Sequence, residues 1–211
     1  MGNSASIGIL FVAFLIAPLP SALADYAQMT LFQMLTRAEI VVSGKIRNIT
    51  DKTYDLVVDH PYRNAEPKDV LTVQRIDTLR LGDRWHDYKE GEHVVLFADP
   101  GATGDVTLTP VGAAGEGELP ADATAIYLAA LSRPPAHLKS STYLGGTSEY
   151  YRVDATDFND AITGFFDCYR PTELGRIARL CDDAALEEYR QSSWLAEHLS
   201  GIADRLPEGE N

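Results

Sequence analysis

Hydrophobic and polar residues alternate along the middle of the chain, and this alternation predicts five short strands. The clearest example is the segment 53–62, in which Tyr54, Leu56 and Val58 share one face while Asp55 and Asp59 share the other. Gly, Pro and Asp turns separate the strands, and no helix long enough for a parallel crossover lies between them. A small antiparallel barrel or sandwich is therefore favoured. The predicted strands cover residues 40–49, 53–62, 70–76, 93–98 and 106–111.

After residue 153 the hydrophobic pattern takes the helical period, so the chain is expected to be mainly β with C-terminal helices, an α+β arrangement. The first helix is capped by Asp154 or Thr156 and ends before Pro171, a second begins at Thr172, and a third follows Asp182. Their apolar stripes are expected to pack on the barrel, with a docking face for another protein as the alternative. The three stripes are Phe158, Ile162, Phe165 and Phe166, then Leu174, Ile177 and Leu180, then Leu186, Tyr189, Leu195, Leu199 and Ile202.

The segments between and around these elements complete the predicted organisation. The glycine- and alanine-rich stretch 111–123 predicts a loop or linker, residues 124–131 are compatible with helix or strand, and the breaker-rich stretch 132–148 predicts a surface loop before a short strand at 150–153. The predicted units are a signal peptide (1–24), a five-stranded barrel domain (25–118), a linker with short β or helical elements (119–153), a helical segment (154–206) and a flexible tail (207–211).

The N-terminus predicts export. Residues 7–17 are an unbroken apolar run, and an A-x-A cleavage signature follows at 22–24, which is typical of a secretory signal peptide cleaved after Ala24. The run is shorter than the roughly 20 residues that span a bilayer, and no second run follows, so no transmembrane segment is expected in the mature chain. The predicted location is secreted or periplasmic. Gly2 and Ser6 also match an N-myristoylation pattern, an alternative that the cleavage signature disfavours.

Two cysteines, Cys168 and Cys181, are present in the mature chain. In an oxidising compartment an even number of cysteines usually pairs, so a disulfide is predicted. Two free buried thiols, or a metal or redox pair, are the alternatives. The twelve intervening residues do not match C-x-x-C chemistry.

The charge balance disfavours one large group of partners. The chain carries 18 Lys and Arg against 31 Asp and Glu, a formal net charge of -13. Proteins that bind nucleic acid or anionic membranes usually present a basic surface to replace the counterions of the phosphates. Neither nucleic acid nor an anionic membrane is therefore predicted as a partner.

Three segments carry a resemblance to a known family: residues 37–46 (RAEIVVSGKI), the charged and β-branched strand at 54–62, and residues 90–97 (EGEHVVLF). Together they resemble the netrin-like (NTR) domains, which include tissue inhibitors of metalloproteinases and many exported bacterial proteins. The resemblance covers about residues 26–117 and implies an OB-like five-stranded barrel. The family's disulfide cysteines have no counterpart, and Asp25 stands where the inhibitors have an N-terminal Cys. The inhibitory mechanism is therefore not implied.

Candidate chemistry is concentrated on the long connection before the fourth strand and on the turn after it. Aromatic and charged residues on loops over a barrel are candidates for partner contact. His86 and His93 flank several carboxylates, so a metal site is a second interpretation, although the spacing matches no known ligand pattern. No cofactor is predicted. The candidate binding residues are Trp85, His86, Tyr88, Asp99 and Asp105.

These features favour a non-enzymatic role over catalysis. We predict an exported module on an OB-like barrel that binds another exported or envelope protein. The alternative is a metal-dependent hydrolase that uses His86, His93 and nearby carboxylates.

Overall fold

The computed structural model describes residues 28–76, 84–85, 87–101, 107–113, 115–129, 134–142, 149–172 and 177–206. Its strands are β1 (Ile40–Arg47), β2 (Thr53–Arg63), β3 (Val70–Gln74), β4 (His93–Pro100), β5 (Leu108–Pro110), β6 (Glu118–Ala121), β7 (Ala125–Leu128), β8 (Ser140–Thr142), β9 (Glu149–Asp154), β10 (Tyr169–Pro171) and β11 (Ile177–Arg179). Its helices are α1 (Leu31–Arg37), α2 (Ala155–Cys168), α3 (Asp183–Ser192) and α4 (Trp194–Ala203).

Strands β1 to β5 close into a barrel, in which β1 pairs with β2 and β4, β2 with β3, and β5 with both β3 and β4. The predicted fold class, mainly β with C-terminal helices, is confirmed, and each predicted strand of the barrel overlaps an observed one. One pairing departs from the antiparallel prediction, because β3 and β5 run parallel, with Val73 opposite Leu108. A closed ring of five strands cannot alternate direction throughout, so one pair must be parallel.

A glycine allows β1 to bend around the barrel. The register between β1 and β2 shifts next to Gly44, as it does at a β-bulge. A Cβ atom at Gly44 would lie 2.3 Å from the carbonyl oxygen of Val57 on the neighbouring strand. Only a residue without a side chain fits this approach, so the bend of β1 depends on glycine at this position.

Strand β4 is shared by two hydrophobic cores. Val94, Leu96 and Ala98 point into the barrel core, whereas Val95 and Phe97 belong to a second core between the sheet and the helices. Because both faces of β4 are buried, its sequence is a continuous apolar run rather than an alternating one. The helical segment is thus packed directly on the outer face of the barrel sheet.

The sheet continues beyond the barrel through the region predicted as a linker. Strand β6 pairs with β4, β7 with β6, β9 with β7, and β8 with β9. The prediction of a loop or linker at 111–123 is wrong for β6, all four residues of which are buried. A Cβ atom at Gly117 would lie 2.6 Å from backbone atoms of Val111, so this glycine permits tight packing rather than flexibility. Residues 125–128, compatible with helix or strand, form β7.

The C-terminal helices confirm two predicted caps and correct two predicted elements. Asp154 caps α2 and Asp182 caps α3 through their side-chain oxygens. The predicted third helix is two helices, because Ser193 is extended and accepts a hydrogen bond from the backbone of Ala196, which starts α4. Serine competes with the helix backbone in this way and favours a cap over continuation.

The predicted helix from Thr172 is wrong, because β10 and β11 form a hairpin there. The predicted disulfide is present, and it holds the Cα atoms of Cys168 and Cys181 4.6 Å apart across a sequence separation of 13. A helix over that length would separate its ends by roughly 20 Å. The bridged segment must therefore turn back on itself.

Helix α1 has no counterpart among the predicted elements. Thr30 and Gln33 form a capping box, in which the Thr30 side chain accepts from the Gln33 backbone and the Gln33 side chain accepts from the Thr30 backbone. The T-x-x-Q spacing is a sequence signal for this start. None of the helices in the described residues has the length and apolar content to cross a bilayer.

Candidate functional site

The predicted aromatic contact residues lie against the end of the barrel. Trp85 and Tyr88 are half-buried and pack on the barrel core. His86 and Asp105, also predicted as binding residues, lie outside the described residues. The role of this loop is therefore judged from the contacts of Trp85 and Tyr88.

A buried network of polar side chains joins the loop to the barrel and to β6. Arg84 Nε donates a hydrogen bond to Glu118 Oε2 at 2.7 Å, and a terminal nitrogen of Arg84 donates to Glu92 Oε2 at 3.1 Å. The hydroxyls of Tyr54 and Tyr88 donate to Glu118 Oε1 at 2.9 and 3.0 Å. The indole nitrogen of Trp85 donates to Glu92 Oε1 at 3.0 Å. We call this network the Arg84 cluster, and its members are Tyr54, Arg84, Trp85, Tyr88, Glu92 and Glu118.

Aromatic rings enclose the positive charge of the cluster. The guanidinium carbon of Arg84 lies 3.8 Å from the ring centre of Trp85 and 4.0 Å from that of Tyr88. Arg84 is 6% exposed and Glu118 1% exposed. A planar guanidinium can stack on rings and pair with carboxylates at once, whereas an ammonium group cannot.

The pKa values of the cluster reflect burial opposed by charge pairing. Burial alone would lower the pKa of Arg84, but Glu118 and Glu92 raise it above its ordinary value, so the guanidinium stays charged. Burial raises the pKa of Glu118, against the opposing effect of Arg84 and the two tyrosine hydroxyls. Burial, followed by the charge of Glu118, also raises the pKa of Tyr54 and Tyr88, which remain hydrogen-bond donors.

Trp85 and Tyr88 therefore have a structural role within the Arg84 cluster. Trp85 and Tyr88 each turn a ring face to Arg84 and donate from their polar atoms to a carboxylate inside the network. The polar atom and one ring face of each side chain are therefore engaged within the protein, and both side chains are half-buried. Sequence reasoning missed Glu118, because a charged residue after a glycine-rich stretch indicates an exposed turn rather than a buried strand.

The other predicted site residues do not converge on one point. Asp99 accepts a hydrogen bond from the backbone nitrogen of Glu39 at 2.9 Å and so supports the entry to β1. His93 Nε2 lies 3.6 Å from Asp59 Oδ2, beside a shallow cleft of about 590 Å³. Within the described ranges, no three His, Cys, Asp or Glu side chains are grouped to hold a metal ion. The proposed metal partner His86 lies outside those ranges.

The α1–α4 groove, a depression of about 1460 Å³ between these two helices, is larger than the cleft beside His93. Phe32 contributes from α1, Trp194 and Ile202 from α4, and Leu206 from the residues after α4. His137 packs its ring edge-on against Trp194, with ring centres 6.1 Å apart. The groove therefore combines aromatic and aliphatic surface in one concave site.

Helix α4 builds its wall of the groove by helical periodicity. One face of α4 is buried in the helical core through Leu195, Leu199 and Ala203. A second face recurs at spacings of three and four and lines the groove. Its residues are Trp194, Glu197, His198, Gly201 and Ile202, and Arg205, just after the end of α4, also lines the groove. Ile202, predicted as part of the core-facing stripe, packs against the helical core and also lines the groove.

Charged side chains stand along the groove. Arg37 and Arg205 are exposed, as is Glu197. The pKa of His198 is lowered, first by burial and then by the positive charge of Arg205. The positive charge of Arg205 therefore acts on the imidazole of His198, which also lines the groove.

Comparison of the chain with protein-family models, with curated proteins and with solved structures found no match.

Proposed function

We propose that this chain is an exported, non-enzymatic module that binds another exported or envelope protein through the α1–α4 groove. The observation that carries the proposal is the composition of the groove. Half-buried Trp194 and exposed Arg37 and Arg205 line one depression, and tryptophan and arginine are enriched among the residues that contribute most to protein interfaces. The barrel supplies the rigid support for the helices that form the groove.

Export is supported by two independent features. The N-terminal residues have the pattern of a signal peptide. The Cys168–Cys181 disulfide is of the kind that persists in oxidising compartments. Sequencing the N-terminus of the protein recovered from its own cells tests the proposal, and we expect the mature chain to begin at Asp25.

The proposal moves the binding surface away from the loop predicted from the sequence. Trp85 and Tyr88 are engaged in the Arg84 cluster, whereas Trp194 lines an open groove. The barrel remains an OB-like support, and its relation to the netrin-like domains stays a prediction from the sequence.

Gly201 offers a way to block the groove without disturbing the fold. It lies in the last turn of α4 and lines the groove, and a Cβ atom built on it meets nothing within 4 Å. A Gly201→Leu variant should therefore fold and fill the groove. Gly201→Ala is the matched control, and it should raise stability by up to about 1 kcal/mol because glycine is unfavourable inside a helix.

In-cell photo-crosslinking tests the proposed function. A benzophenone side chain placed at Gln33, which is exposed on the groove, should form one dominant adduct with an envelope protein. Gly201→Leu should abolish this adduct, and Gly201→Ala should keep it. A second photoprobe at the exposed Glu90, beside the Arg84 cluster, should give no adduct. An adduct from Glu90 alone, or one from Gln33 that survives Gly201→Leu, would place binding elsewhere.

A further inference from the structure

The groove differs in charge from the protein that surrounds it. The whole chain has a formal net charge of -13. Among the described residues that line the groove, two arginines stand against one carboxylate, that of Glu197, and two histidines add positive charge when they are protonated. The groove is therefore a locally basic depression on an acidic protein.

The two arginines of the groove are available for a ligand. Arg190 and Arg179 pair with Asp204 and Asp183 on the surface of the helical segment. By contrast, neither Arg37 nor Arg205 forms an ion pair within the described part of the chain. A guanidinium is well suited to hold a carboxylate with two parallel hydrogen bonds.

Apolar side chains lie beside these charges. Trp194, Ile202 and Leu206 are half-buried and line the same groove. A ligand that filled the groove would cover their remaining apolar surface, and burial of such surface contributes favourable free energy. The groove thus provides both an apolar anchoring surface and a charge that specifies what can approach it.

We infer that the α1–α4 groove takes an acidic segment of a partner protein, with an apolar side chain against Trp194 and carboxylates beside Arg37 and Arg205. This inference rests on the proposed function and names the chemistry of its partner. Charge complementarity argues for it, because the acidic surface of this protein repels an acidic segment, whereas the arginines of the groove attract it. Nucleic acid is also anionic, but it carries a charge at every phosphate, and the described lining of the groove offers Arg37 and Arg205 rather than a continuous basic track.

Binding of defined peptides to the full mature protein tests this inference. The probe is a fluorescein-labelled synthetic peptide in which Phe-Leu pairs alternate with glutamates, and its counterpart carries lysine in place of glutamate. Fluorescence anisotropy should show binding of the glutamate peptide, weakening as salt rises because the charges are exposed. The lysine peptide should bind at least tenfold more weakly, on the order expected for reversing several interface charges.

Charge-reversal variants locate the site. Arg37→Glu combined with Arg205→Glu should weaken binding of the glutamate peptide by roughly tenfold, because two attractive charge pairs are lost and the reversal adds repulsion. Arg47→Glu combined with Lys52→Glu changes the net charge equally, at exposed positions of the barrel that do not line the groove. This control should leave the affinity within twofold.

The possible outcomes separate the inference from the proposed function. Equal binding of both peptides, blocked by Gly201→Leu, would overturn the acidic partner but keep the groove as a binding site. Equal weakening by the two double variants would overturn the groove as the source of selectivity. Tighter binding of a poly-thymidine oligonucleotide would assign the groove to nucleic acid. Self-association that is lost on Gly201→Leu would assign it to a second copy of the chain. Peptide binding seen only after removal of residues 207–211 would assign it to the chain's own tail.

Discussion

The Arg84 cluster and the α1–α4 groove both contain tryptophan and arginine, yet these residues have opposite roles in the two regions. Arg84 is buried, stacked on Trp85 and paired with two carboxylates. Arg205 is exposed and lies with Trp194 along an open groove. The same residue types therefore form a buried network at one place and line a groove at the other, and the difference is that Glu92 and Glu118 lie beside Arg84.

Replacement of Arg84 and of Arg205 by alanine should give the largest difference in stability between the two regions. Arg84→Ala leaves Glu118 and Glu92 without their cation in a buried site, so we expect a loss of about 3 to 5 kcal/mol in the free energy of unfolding. Arg205→Ala should change it by no more than about 0.5 kcal/mol, because Arg205 is an exposed surface residue. Urea unfolding followed by circular dichroism measures both. Similar losses for the two variants would contradict the distinction.

Loss of the Cys168–Cys181 disulfide should give the next largest loss of stability, and this bridge lies on the groove side of the molecule. Cys168 lies in the helical core, and Thr172, four residues later, lines the groove. Replacing both cysteines by alanine should lower the free energy of unfolding by roughly 2 to 3 kcal/mol, the loop-closure effect of a short bridged loop. The unchanged protein under reductant is the control and should match the variant. If reductant leaves the unfolding curve unchanged, the bridge does not support this side.

The smallest expected effect is a change in the pKa of one histidine. His198 in the groove and His93 on the barrel both have pKa values lowered from 6.5, with burial as the largest cause. Because Arg205 is the second cause at His198, Arg205→Ala should raise that pKa and leave the pKa of His93 unchanged. Titration of the two imidazoles by NMR measures this. Equal movement of both would show that Arg205 acts by disturbing the fold.

The lowered pKa values of His93 and His198 also predict how the free energy of unfolding changes with pH. A histidine whose pKa is lower in the folded protein than in the unfolded chain favours folding above the unfolded pKa of 6.5. That contribution is lost as the pH falls through the lowered folded values, since protonation then favours the unfolded chain. Acidification from neutral pH should therefore destabilise the protein, and His198→Gln should reduce the dependence.

The barrel was predictable because its signals are local. Alternation on β2 and the apolar run of β4 specify strands whatever their neighbours are. The hairpin of β10 and β11 was predictable in principle, since a bridge between Cys168 and Cys181 excludes a helix between them. Two sequence predictions conflicted there, and the covalent constraint outweighed the helical spacing of Ile177 and Leu180.

The candidate site was harder to predict, because it depends on contacts distant in sequence. Glu118 is buried only because β6 pairs with β4 and brings its carboxylate to Arg84, 34 residues earlier in the chain. Nothing near Glu118 in the sequence indicates that partner. The groove likewise joins helices from opposite ends of the described chain, and the second stripe of α4 becomes a wall only when α1 faces it.

Strand β4 has a consequence for how the molecule unfolds. Its side chains fill the barrel on one face and the helical core on the other, so neither core can be lost while the other stays complete. A fragment ending at residue 118 would expose Val95 and Phe97 to water, and the barrel is therefore not an excisable unit. Cooperative loss of both layers is the expected behaviour, with the amides of β4 among the slowest to exchange with solvent.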